Sequence, residues 1–184
     1  MGTKRRRTSP DSTNRPNEGV TVTRGDHLFA LYATDRERIA LAVPFLVDGL
    51  REGSICFLIA PESSREGILT ELKENRTEID NDIAEGRLIA TAHQDSPREQ
   101  YEFFERATSA AERDGATTFR LFADMIGARQ RMSIVQLLEL EEGFDEAIVR
   151  NHQIAAMCAY DVRKFSGIEL LGALKSHRGS VRYA

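Results

Sequence analysis

The chain has 184 residues, 41% of them apolar and 29% charged, with a formal net charge of −4 at pH 7 and a pI near 5.7. That length suits one domain burying roughly 70% of the surface its unfolded chain would expose, so no disulfide or metal staple is called for. The acidic balance argues against a general nucleic-acid binder, and no apolar run approaches a membrane span or a signal peptide, which points to a cytoplasmic protein.

Residues 1–24 are rich in Ser, Thr, Asn, Pro and Arg without apolar periodicity and read as a disordered tail, leaving 25–184 as the folded domain. The run Lys4-Arg5-Arg6-Arg7 would touch nucleic acid or an acidic partner only weakly, because four charges hold little at physiological salt. A solvated terminus is the favoured reading.

From Gly25 to Ala60 the chain reads as strand, loop, helix and second strand. The helix, about Arg36 to Glu52, places Ile39, Ala42, Val43, Leu46, Val47 and Leu50 on one apolar stripe. Thr34-Asp35-Arg36-Glu37 at its start matches a capping box that consumes free backbone N–H groups. A phosphate loop would need those groups, together with glycines, a lysine and a Ser/Thr. Asp35 and Glu37 instead add negative charge, worth roughly 1 kcal/mol or more of repulsion at a few ångströms. Pro44 removes the bond to the Ala40 carbonyl and should bend the helix.

Strands are predicted at His27 to Tyr32, Ser54 to Ala60, Arg87 to Ala92, Thr118 to Met125 and Gln153 to Tyr160, each followed by a helix. This alternation specifies an α/β fold, a three-layer α/β/α sandwich around a mainly parallel sheet of five or more strands. The runs ICFLIA and IAAMCAY suit strands buried on both faces, with Cys56 and Cys158 as reduced core thiols. Further S/T-x-x-E boxes begin at Ser63, Ser96 and Ser166, the second with Pro97 at the first helical position, and Phe165 can staple onto Leu170. Gly53 and Gly115 are placed as helix-ending glycines. A helix near Met132 to Val149 aligns Leu137, Leu140, Phe144, Ala147 and Ile148, and is expected to expose Glu139, Glu141, Glu142, Asp145 and Glu146 to solvent or to a partner.

Ligands of parallel sheets sit at the carboxyl ends of the strands. That rule selects Tyr32 and Thr34, Glu62, His93, Asp124 and Met125, then Tyr160, Asp161 and Arg163, a set suited to a small, largely apolar ligand with one polar group. Each also has a structural reading: Tyr32 and Tyr160 as core, Asp124 as a cap, Asp161 as the partner of Arg163. His27, His93, His152 and His177 show no metal-ligand spacing with one another or with the cysteines, and no G-x-S-x-G elbow occurs, so neither a metal, a cofactor nor a catalytic residue is expected. Asp26-His27, at the opposite end of the first strand, reads as an anchor of that strand.

The order and spacing of GDHLFALY, PFLVDGLREGSICFLIA, FRLFADM and MCAYDVRKFS resemble the MEDS sensory-domain family over approximately Gly25 to His177. The resemblance implies a non-catalytic sensory domain of prokaryotic signalling and transcriptional control that binds hydrocarbon-like small molecules, with kinship to KaiC-like and RecA-like ATPases that have lost their phosphate loop. Where those ATPases carry Gly-Lys-Thr, this chain has Glu37, Arg38 and Ile39. Asp124 matches their metal-organising aspartate, and Glu62 matches one of an acidic pair whose neighbour here is Ser63.

Together these readings predict a non-enzymatic sensory module with a pocket around Tyr32, Asp124 and Tyr160, and with Arg38 among its ligand-binding residues. A stand-alone copy of such a module would signal through a protein partner or a homodimer. The alternative is a degenerate RecA/KaiC-like nucleotide-binding protein with little or no ATPase activity, since phosphoryl transfer relies on the positioning parts that are missing.

Overall fold

A computed structural model describes residues 22–182, so Lys4, Arg5, Arg6 and Arg7 lie outside the described residues. Six strands form one all-parallel sheet: β1 (His27–Tyr32), β2 (Ile55–Ile59), β3 (Leu88–Thr91), β4 (Phe119–Asp124), β5 (Ile154–Asp161) and β6 (Gly179–Arg182), in the order β3-β2-β4-β5-β1-β6. The five predicted strands are present within a residue or so of their expected limits. β6 was not predicted, because four residues reading GSVR have too little apolar alternation to signal a strand.

The chain starts at the fifth position of the sheet and crosses to the second through α1 (Asp35–Arg51), then reaches the edge through α2 (Glu62–Asn75) and α3 (Ile79–Ala84). It returns through α4 (Pro97–Arg113), α5 (Ile126–Arg131), α6 (Ile134–Phe144), a π-helical turn (Asp145–Val149), α7 (Arg150–His152) and α8 (Gly167–Leu174). Crossovers of one hand that run in opposite directions must cover opposite faces. Two apolar clusters result, one joining α1, α2 and α3 to Leu28, Ala30, Tyr32 and Phe122, the other joining α4, α6 and α8 to Phe29, Leu121, Cys158 and Tyr160. This is the expected α/β/α sandwich. Every residue of β4 and β5 is buried, as a central parallel strand requires.

Local signals mostly hold. Thr34, Ser96 and Ser166 cap α1, α4 and α8, each hydroxyl accepting from the N–H three residues on. Gly53 and Gly115 follow their helices at φ +81° and +98°, where a side chain would be strained. Val22 packs on the core cluster beneath α1. The Ser63 box is not used: α2 begins at Glu62 behind Pro61 with no side-chain cap, because Ser64 is buried on the packed face. Glu141, expected on the solvent side of α6, is buried. It lies four residues after Leu137 and three before Phe144, on the stripe that faces the sheet. Cys56 and Cys158 are free buried thiols. Among the described residues no helix is long and apolar enough to cross a membrane.

Candidate functional site

At the carboxyl edge, β1 passes to α1 through Ala33 and Thr34 alone. The Glu37 carboxylate accepts from the Ala33 N–H at 2.6 Å, the Thr34 hydroxyl accepts from the Glu37 N–H, and the Thr34 carbonyl accepts from the Arg38 N–H. Three amides of the turn, those of Ala33, Glu37 and Arg38, are therefore engaged by the protein itself.

Behind this turn, Tyr32 donates to Asp124 Oδ1 at 2.8 Å, and the Arg38 guanidinium lies 5.7 Å from the centre of the Tyr32 ring. Arg38 Nε stands 3.8 Å from Asp124 Oδ2, and neither atom has a hydrogen-bond partner. Burial raises the Asp124 carboxyl above its usual range, against the pull of Tyr32, Ser64 and Arg38. Burial and the adjacent Asp124 push the Tyr32 phenol up as well, so it acts as a fixed donor. Arg163 pairs with Asp161 at 2.7 Å and reaches within 3.8 Å of Asp35. Thr34 and Glu62 are exposed at the rim.

The expected grouping of Tyr32, Asp124 and Tyr160 is not one site. Side chains alternate across a strand, and Tyr32 packs on the α1 face while Tyr160 packs on the face of α4 and α6. Tyr160 donates to Glu141 Oε1 at 2.6 Å and stacks on Phe29. His93 and Met125 belong to the same side as Tyr160, where they line a cavity of about 20 Å³ with Ile59, Phe104, Leu121, Leu140, Phe144 and Cys158.

Three polar groups border this cavity: His93, Gln100 and Glu141. Gln100 Oε1 accepts from the Gln94 N–H, but Gln100 Nε2 and His93 Nδ1 have no hydrogen-bond partner although both residues are buried. Burial drives the His93 pKa down to about 4, which leaves the ring neutral. Its position is fixed by Gly127, where an added Cβ would lie 2.5 Å from His93 Nδ1. Gln100 and Cys158 were not selected from sequence, since neither follows a strand. Gln100 sits on a helix face shared with Phe104, and a polar residue in register with that apolar stripe was the available signal.

The MEDS profile, described as the MEthanogen/methylotroph, DcmR Sensory domain, matches residues 26–178. The chain belongs to the MEDS family. This MEDS chain is also similar to the transcriptional repressor DcmR of Methylorubrum extorquens (strain DSM 6343 / CIP 106787 / DM4), with 32% identity over 166 residues. The alignment covers 90% of the MEDS chain and 63% of the repressor, so the chain spans less than two thirds of that relative's length. Both comparisons support a sensory and regulatory role.

Proposed function

We propose that this MEDS domain is a non-enzymatic cytoplasmic receptor for a small, hydrocarbon-like molecule carrying one hydrogen-bonding group, and that it regulates transcription by passing occupancy to a protein partner or a second copy of itself. The observation that carries this reading is the apolar cavity bordered by His93 Nδ1 and Gln100 Nε2, two buried polar atoms without partners. Leaving such a group unsatisfied costs about 1–3 kcal/mol, which a ligand offering the missing partner would restore. At about 20 Å³ the space as it stands holds little more than one water-sized occupant, so a hydrocarbon would enter by displacing the flexible Met125 side chain. The DcmR similarity supports transcription as the output. Val135, Ile168 and Leu171 are 62%, 85% and 62% exposed, and this apolar surface on α6 and α8 supports a protein contact there.

At the carboxyl edge Tyr32 donates to Asp124 and the Glu37 carboxylate occupies the Ala33 amide, which disfavours the degenerate nucleotide-binding alternative. Thermal shift of the purified protein against a panel of short halogenated and oxygenated hydrocarbons tests the proposal. Stabilisation should grow with ligand as RT ln(1 + [L]/Kd) and should disappear in Gln100→Leu. A panel at saturating concentrations that never moves the melting temperature would remove the ligand from the proposal. Native mass spectrometry would report a co-purified small molecule and the oligomeric state together.

A further inference from the structure

We propose that His27, His177, Cys158 and Glu141 form an interior binding site for one divalent transition-metal ion of the zinc type. One ligand atom from each lies within 4.8 Å of all the others. His27 Nε2 is 3.3 Å from Glu141 Oε2 and 3.4 Å from Cys158 Sγ, and His177 Nε2 is 3.2 Å from the same Glu141 oxygen. Tetrahedral bonds of about 2.0–2.3 Å put ligand atoms roughly 3.3–3.7 Å apart, so these three separations are close to those of a coordination shell and the other pairs, within 4.8 Å, would close on the ion.

The polar groups converge with only part of their hydrogen bonding satisfied, by the contact of Cys158 Sγ with His27 Nε2 and by Tyr160 on one Glu141 oxygen. His177 Nε2 and Glu141 Oε2 have no hydrogen-bond partner even though the two side chains are 0% and 2% exposed. Unpaired interior atoms of this kind call for an occupant. Of the remaining ring nitrogens, His177 Nδ1 donates to the Ala173 carbonyl at 2.8 Å, as in a metal-ligating histidine, and His27 Nδ1 stands 3.2 Å from Asp145 Oδ1 without a hydrogen bond between them. Tyr160 fixes the other Glu141 oxygen. Two imidazoles, one thiolate and one carboxylate suit Zn²⁺ or Co²⁺, and the two negative ligands neutralise a divalent charge in the core.

The four ligands come from β1, β5, α6 and the segment after α8, so the ion would tie the carboxyl-terminal segment to the sheet. Glu141 and Cys158 also line the apolar cavity, but the metal proposal stands on its own ligand atoms and does not rest on the small-molecule reading.

The test uses the full chain without a histidine tag, dialysed against chelator and titrated with Co²⁺. The expected result is one equivalent bound, with the intense visible bands of tetrahedral cobalt and a near-ultraviolet thiolate charge-transfer band, both displaced by Zn²⁺. Cys158→Ser should lose the charge-transfer band, Cys56→Ser should keep it, and His177→Ala should weaken cobalt binding at least about tenfold. Circular dichroism checks that each variant is folded. Wild-type protein that takes up less than one equivalent, or gives only the weak spectrum of octahedral cobalt, overturns the proposal. So does a charge-transfer band that survives in folded Cys158→Ser. If that variant does not fold, the wild-type spectrum decides alone.

Discussion

Tyr32 and Asp124 meet across two strands that are not neighbours, the phenol donating to the carboxylate at 2.8 Å with both residues buried. β5 separates their strands, and only the shared alternation of β1 and β4 brings the two side chains together on the α1 face. Tyr32→Phe should lower stability by about 1–3 kcal/mol, because Asp124 would keep its burial and lose its donor. Urea denaturation should show a lower midpoint at unchanged slope. The double variant with Asp124→Ala should be clearly non-additive, as expected for groups in direct contact.

Asp82 joins α3 to β3 by accepting from Arg76 at 2.7 Å and Arg87 at 2.8 Å. Burial alone would raise its pKa, but the two guanidinium groups outweigh it and hold the carboxyl below its usual value. The stabilisation is therefore fully present above the unfolded value of about 3.9 and is lost as pH falls through the lower folded value. Asp82→Asn should cost about 1–3 kcal/mol at pH 7. The gap between wild type and variant should shrink as urea melts are repeated towards acid, and a gap independent of pH would contradict the assignment.

His152 carries the opposite sign. Burial opposes its charge, yet hydrogen bonds with Glu105 at 2.9 Å and Glu112 at 3.0 Å prevail and raise its pKa. Its contribution should be complete below the unfolded value of about 6.5 and fade as pH rises through the folded value. Proton NMR of the ring, with melts of wild type and His152→Gln across that range, should show both changes.

Gly127 lets the start of α5 lie against His93. Gly127→Ala would set a Cβ 2.5 Å from His93 Nδ1 and 3.2 Å from Pro61 Cδ. Overpacking of this kind costs about 1–3 kcal/mol. The same substitution should displace the His93 ring and abolish any ligand-dependent thermal shift.

The turn between β1 and α1 should not hold a nucleotide. Isothermal titration with MgATP should give no binding heat, because Glu37 and Thr34 engage the Ala33, Glu37 and Arg38 amides and Asp35 and Glu37 add negative charge there. Thr34→Ala should cost about 0.5–2 kcal/mol as a lost helix cap without creating affinity for ATP. Binding of MgATP that Asp124→Ala abolished would favour the nucleotide reading instead.

Short-range signals were enough for most of the architecture. The stripe of α1, the caps Thr34, Ser96 and Ser166, and the apolar runs of β2 and β5 lie within a few residues of one another, so helix and strand periodicity expose them in a linear chain. The same logic marked His93, Asp124 and Met125, since the ends of parallel strands are readable once the strands are. What periodicity does not reveal is which strand ends share a face and which distant side chains converge. Tyr32 and Tyr160 divide between the two faces because the register pairs Tyr32 with Asp161 and Tyr160 with Leu31, and the buried face of α6 draws Glu141 onto His27, Cys158 and His177. Those four residues come from separate segments with no common spacing, and burial among them was decided by strand order and helix packing, which exist only once the whole sheet has formed.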